Sequence, residues 1–131
     1  MEYKGIDVSK WQGSIDFNAV KKSGIDFVMI RASYGKGIDT KFKTNLANAK
    51  SAGLNVGIYH YTLATTPAEA REEIQYLFKN GGFDKLEYPI AFDMEDTGVI
   101  YDRLTSQDLT NIALAGLDEI EKHGYFAILY S

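Results

Sequence analysis

The segment AGLNVGIYHY at residues 52–61 joins the end of a predicted helix to a predicted strand. Gly53 can adopt the left-handed backbone conformation that closes a helix, and the VGIYHY run that follows is apolar enough for a buried strand. The same order recurs in GIDF at 24–27 and in GYFA at 124–127. The chain is therefore predicted to repeat a helix–strand unit in structure, without repeating its sequence.

Short apolar runs alternate with segments of helical spacing along the whole chain, which predicts an α/β fold. Strands are predicted at Tyr3–Val8, Phe27–Ala32, Val56–Tyr61, Tyr88–Asp93 and Phe126–Tyr130. Helices are predicted at about Asp16–Ser23 and Thr40–Ala52, from Thr66 to Gly81, and from Thr105 or Ser106 to Gly124. Continuous apolar strands favour a parallel sheet covered on both faces. The element order fits either an open doubly wound sheet or part of a barrel.

Composition indicates one domain, residues 1–131, because 45% of the 131 residues are hydrophobic and 24% are charged. Fourteen Lys and Arg against eighteen Asp and Glu give a net charge of -4, so nucleic-acid binding is not expected. No apolar run is long enough to insert into a membrane, and the first residues carry no signal-peptide core. The chain has no cysteine, which excludes disulfides and thiolate metal sites.

The strongest local signal for chemistry is the Asp93-Met94-Glu95 stretch at the end of the fourth predicted strand. Residues i and i+2 of a strand point to the same face, about 7 Å apart, and Asp7 could bring a third carboxylate from another strand end. Neighbouring carboxylates raise one another's pKa, which suits the acid that glycoside hydrolysis requires. The spacing alone also fits solvated strand-end acids or a divalent-metal site.

Histidines and serines give weaker signals. His60 is expected to be an interior residue with its polar atoms satisfied, and His123 to offset the dipole at the end of the fourth helix. Neither has a second histidine at zinc-ligand spacing. The serines at positions 9, 33 and 131 lack a GxSxG elbow and an assignable base, so a serine-hydrolase triad is not predicted.

Four segments of the chain together resemble one protein family. They are GIDVSKWQGSIDF at 5–17, RASYG at 31–35, AGLNVGIYHY at 52–61 and PIAFDMED at 89–96. In this order and spacing they resemble glycoside hydrolase family 25, the bacterial and phage lysozymes that cut peptidoglycan between N-acetylmuramic acid and N-acetylglucosamine. The resemblance implies a TIM-like barrel of the modified (β/α)5(β)3 type, of which this chain would hold strands one to five and helices one to four.

The resemblance also implies roles for individual residues. Glu95 would be the general acid, Asp93 would orient or stabilise the reacting acetamido group, and Asp7 would be a further acidic site residue. Tyr61 is expected to line the substrate cleft. Tyr34 and Tyr130 are candidate substrate-binding residues because their rings could stack on sugars. No metal or organic cofactor is implied, and the expected partner is the peptidoglycan glycan strand.

Two departures from the family pattern keep alternatives open. Many members have a glutamate at the position of Tyr34, and the family usually has a further acidic residue on a later strand of a longer domain. The chain is therefore expected to be the N-terminal part of a truncated, proteolysed or split catalytic domain.

Its function would be that of a cell-wall-directed or secreted muramidase, or of a phage lysin released from the host cytoplasm. The alternatives are an inactive partial barrel that associates with another chain through its open edges, or a carbohydrate-binding domain without turnover.

Overall fold

The computed structural model describes residues 3–95 and 101–131. The strands in this part of the chain are β1 (Gly5–Val8), β2 (Phe27–Tyr34), β3 (Gly37–Ile38), β4 (Asn55–Tyr61), β5 (Ile90–Asp93) and β6 (Ala127–Tyr130). The helices are α1 (Phe17–Lys22), α2 (Phe42–Ser51), α3 (Pro67–Asn80) and α4 (Ser106–Lys122). A single 3-10 turn, Lys10–Gln12, follows β1. The predicted strands and helices are all present, whereas the sequence analysis missed β3 and the 3-10 turn.

The sheet has the order β1-β2-β4-β5-β6, and each neighbouring pair along this path is parallel. The short strand β3 folds back antiparallel on the end of β2. The predicted α/β class with a parallel sheet is confirmed. Within the described residues the sheet is open, with β1 and β6 at its edges.

Helix ends follow the signals in the sequence. The side chains of Asp16, Thr66 and Thr105 each accept a hydrogen bond from a backbone N–H in the first turn of the helix that follows. Gly24, Gly53 and Gly124 have φ values of 95°, 83° and 88°, the left-handed conformation that the repeated unit predicts.

One face of the sheet forms the hydrophobic core with the helices. Its central side chains have no exposed surface; they are Val28 and Ile30 of β2, Val56 and Ile58 of β4, and Ile90 and Phe92 of β5. Helix α4 approaches this face closely, since a Cβ on Gly116 would lie 2.3 Å from the Phe92 ring. Each large side chain buried in this way contributes about 1.5–3 kcal/mol.

The opposite face is not covered, so the prediction of a sheet covered on both faces is wrong for the described residues. Alternate strand residues such as Phe27, Met29 and Tyr59 are only partly buried and line an open cavity. The strand order advances in one direction from β1 to β6, and right-handed crossovers then place all the intervening helices on the same face. None of the helices in the described ranges is long and apolar enough to cross a membrane.

Candidate active site

The uncovered face of the sheet lines an open cavity of about 520 Å3. Its apolar part comes largely from early strand positions and the segment before β5, and consists of Phe27, Met29, Tyr88, Pro89, Ala91 and Ile128. Its polar and aromatic part comes from or near the carboxyl ends of the strands, and consists of Asp7, Ser9, Trp11, Arg31, Tyr59, Tyr61, Asp93, Glu95 and Tyr130. This is the end at which parallel α/β sheets bind their ligands.

Three carboxylates meet in this cavity, as the sequence analysis expected. Asp93 ends β5 and is 5% exposed, whereas Glu95 and Asp7 are exposed. Burial raises the pKa of Asp93 to about 7, and the charge of Glu95, its hydrogen bonding with Glu95 and the charge of Asp7 act in the same direction. The Asp93 carboxyl therefore retains a proton up to near-neutral pH.

Two tyrosines flank Asp93 at the same level of the sheet. Tyr61 of β4 and Tyr130 of β6 are the residues paired with Asp93 in the neighbouring strands, and both line the cavity. Burial raises the pKa of Tyr61, and the negative charges of Glu95 and Asp93 add to this effect. Tyrosine rings at these positions can contact a sugar while their hydroxyl groups donate hydrogen bonds.

Tyr34 lies apart from these residues. It is 39% exposed at the end of β2 and is not among the residues that line the cavity. Its ring instead lies 5.0 Å from Arg31 Cζ and 5.4 Å from Lys10 Nζ, measured to the ring centroid. The substrate contact expected of Tyr34 stays a prediction.

Arg31 is a cavity residue that the sequence analysis did not single out, although it lies within the RASYG segment. Its Nε donates to Asp39 Oδ2 at 2.8 Å, and Asp39 is buried. The available signal was one basic residue within the apolar run FVMIRA, because a charge inside a buried strand requires a partner or a function.

A buried polar network lies behind the cavity. Ser33 Oγ is 2.6 Å from His60 Nδ1, and His60 Nε2 is 2.8 Å from Glu73 Oε1 of α3. The Glu73 carboxylate also accepts from Thr62 Oγ1 at 2.7 Å. His60 is thus an interior residue with its polar atoms satisfied, as predicted. The sequence analysis assigned no base to Ser33, but His60 is its partner; both are fully buried, so the hydroxyl is closed to a substrate.

This network supports the site through the backbone. Thr62 N donates to the Asp93 carbonyl at 3.0 Å, so the segment held by Glu73 is bonded directly to the end of β5. His123 is the C-cap residue of α4, and its ring stacks on Phe78 at 3.9 Å between centroids. Its expected effect on the helix dipole stays a prediction. No cluster of three metal-ligating side chains occurs in residues 3–95 and 101–131.

Comparison with known proteins identifies the family. The model of glycosyl hydrolases family 25 matches residues 6–131. The chain belongs to this family. It is 40% identical over 105 residues to the autolytic lysozyme of Clostridium acetobutylicum, an alignment covering 79% of this chain and 32% of that protein. It is 39% identical over 95 residues to lysozyme M1 of Streptomyces globisporus, covering 70% of this chain and 32% of the relative.

Solved family structures have the same fold. A family 25 glycosyl hydrolase from Bacillus anthracis superposes with a TM-score of 0.83 at 29% identity, covering 98% of this chain and 60% of that one. A muramidase from Trichobolus zukalii gives a TM-score of 0.86 at 27% identity, covering 99% of this chain and 65% of the other. The chain thus spans about a third of the two curated lysozymes and less than two thirds of these solved chains.

Proposed function

We propose that this chain is part of a peptidoglycan hydrolase, a muramidase that cleaves the β-1,4 bond between N-acetylmuramic acid and N-acetylglucosamine. The observation that carries the proposal is the group of Asp7, Asp93 and Glu95 in one cavity at the carboxyl ends of the strands. Membership of family 25 and the names of its lysozyme and muramidase relatives support the same activity. The substrate would be the glycan strand of the cell wall, and the enzyme would act at the wall.

In the proposed reaction Glu95 donates a proton to the glycosidic oxygen as the bond to the sugar carbon breaks. The acetamido oxygen of the same sugar attacks that carbon and forms a cyclic intermediate, which Asp93 stabilises. Water then opens the intermediate and returns a proton to Glu95. The buried position of Asp93 beside exposed Glu95 fits this division of roles, because the exposed group can reach the leaving oxygen.

The sheet would form strands one to five of a (β/α)5(β)3 barrel, and residues 1–131 would belong to a single catalytic domain. Two features support this proposal. The apolar floor of the cavity is open, and both solved relatives extend well beyond the part that this chain covers. In a closed barrel, that floor would be covered by side chains from the remaining strands.

The test is a reducing-sugar assay on purified cell walls with the wild-type chain and Glu95→Gln. Loss of a general acid lowers rates by about 10²- to 10⁴-fold, so we expect at least a hundredfold loss. Glu121→Gln is the matched control, because Glu121 is exposed on α4, outside the cavity, and its side chain forms no hydrogen bond or ion pair with the described residues. Measurable turnover at equal rates in wild type and Glu95→Gln would contradict the assignment of Glu95.

A second candidate is sugar binding without turnover. The aromatic side chains that line the cavity favour it, because aromatic rings can stack on sugars; they include Trp11, Tyr59, Tyr61 and Tyr130. Pull-down of the wild-type chain with insoluble cell walls, together with the absence of new reducing ends, would select this candidate over the enzyme.

A further inference from the structure

Arg31 has an unusual position for a structural cation. It lies on the cavity face of β2, and its side chain is 12% exposed. A guanidinium carries five N–H groups, and with the described residues Arg31 forms one hydrogen bond, from Nε–H to Asp39. Nη2 is buried and has no hydrogen-bond partner among the described residues. Buried donors without partners are unfavourable, so this one calls for an explanation.

The guanidinium is held in place from behind. Asp39 is 2% exposed and accepts from the backbone N–H groups of Lys10 at 3.0 Å and Lys41 at 2.8 Å as well as from Arg31. Its carboxylate is therefore fixed by two separate backbone segments. The guanidinium is thus held at Nε by this anchor, and its Cζ lies 5.0 Å from the centroid of the Tyr34 ring.

Arg31 also differs from the other charged residues of the site in the sign of its charge. Among the described residues that line the cavity it is the one Lys or Arg, beside Asp7, Asp93 and Glu95. Its charge reaches Tyr59, where it opposes the burial that raises the pKa of that hydroxyl to about 12. Arg31 is therefore the side chain of this acidic cavity that would attract a negatively charged group of a ligand.

We propose that Arg31 is a specificity residue that binds the lactyl carboxyl group of N-acetylmuramic acid, an inference that rests on the proposed function. Of the two sugars in the glycan, only the muramic acid carries this group, which is an anion when free of peptide. A guanidinium pairs with a carboxylate through parallel N–H···O bonds, a geometry that lysine cannot reproduce. N-Acetylglucosamine presents only hydroxyls and an acetamido group.

The test measures dissociation constants by calorimetry in a Glu95→Gln background, which prevents turnover. The ligands are a peptide-free tetrasaccharide of alternating N-acetylmuramic acid and N-acetylglucosamine, and tetra-N-acetylglucosamine. Arg31→Lys keeps a positive charge beside Asp39 but removes the planar guanidinium that can form two parallel hydrogen bonds. Because Arg31→Lys loses a hydrogen bond between charged groups, we expect its affinity for the muramoyl ligand to be about tenfold weaker than that of the parent chain. Affinity for tetra-N-acetylglucosamine should stay within about twofold, because that ligand lacks the carboxyl.

Two controls make the result decisive. Urea unfolding of Arg31→Lys checks the fold, and the second ligand reports on the integrity of the cavity in the same variant. Lys36→Met removes a cation outside the cavity and should change neither affinity. Equal weakening for both ligands, or unchanged affinity for the muramoyl ligand, would overturn the role of Arg31 alone. A parent chain that neither binds nor, with Glu95 restored, cuts glycan would overturn the proposed function as well.

Discussion

Strands β5 and β6 are neighbours in the sheet, but their burial is very different. Both are apolar in sequence, IAFD and AILY, and they pair in parallel register from Ile90 with Ala127 to Asp93 with Tyr130. Every residue of β5 is at most 5% exposed, whereas Leu129, the partner of Phe92, is 48% exposed and Tyr130 is 59% exposed. Position in the sheet, and not apolar character, therefore sets burial here, because β5 has a strand on each side and β6 has one.

The same difference divides the candidate site. Asp93 takes its raised pKa from its buried place in the middle of the sheet, while its partner Tyr130 stands on an edge strand. The central strand β5 thus carries the buried carboxylate of the candidate site, and β6 supplies one wall of the cavity. An edge strand with free backbone groups and exposed apolar side chains is also a surface on which a further strand can pair.

Phe92→Ala should give the largest effect of the substitutions that test this comparison. The ring is fully buried and lies against Gly116 of α4, so its removal leaves a cavity that the helix cannot fill without moving. Such truncations lower the free energy of unfolding by about 3–5 kcal/mol. Urea unfolding followed by circular dichroism measures the loss, and a loss below about 1 kcal/mol would contradict the tight packing of β5 against α4.

Asp93→Asn should have a smaller effect that depends on pH. The pKa of Asp93 in the folded protein is raised to about 7, above the ordinary value near 4, so the folded state holds a proton that the unfolded state releases. This contribution to stability is complete below about pH 4 and is lost as the pH rises through about 7. Wild type should therefore lose more stability between pH 5 and pH 8 than the variant does.

The measurement is the urea midpoint of both proteins at the two pH values. Asp102→Asn is the matched control, since Asp102 is exposed; this variant should keep the wild-type pH dependence. An unchanged pH dependence in Asp93→Asn would mean that Asp93 titrates as an ordinary exposed carboxylate.

The parts of the fold that sequence reasoning found are those with a local signal. Glycine helix ends, capping residues and apolar runs located α1 to α4 and the five parallel strands. Asp93 and Glu95 both line the cavity, as their neighbouring positions suggested, but Glu95 lies beyond the end of β5, so strand alternation does not apply to it.

The parts that it missed depend on contacts between distant segments. Arg31 is oriented by Asp39, a residue beyond the short strand β3, and the hydroxyl of Ser33 on β2 is paired with His60 on β4. The uncovered sheet face was missed for the same reason, since a continuous apolar strand looks alike whether helices cover one face or both. Contacts of this kind leave no pattern in the strand itself.

Leu129→Ala should have the smallest effect. Nearly half of this side chain is already in water, so its truncation removes little buried area, and we expect a loss of less than about 1 kcal/mol in the free energy of unfolding. Phe92→Ala, its partner in register, provides the comparison in the same assay. A loss of more than about 2 kcal/mol would show that Leu129 is buried in solution, because exposed positions rarely reach such values. Light scattering would then identify the cover, since a mass above 14.6 kDa means that a second copy pairs with the β6 edge.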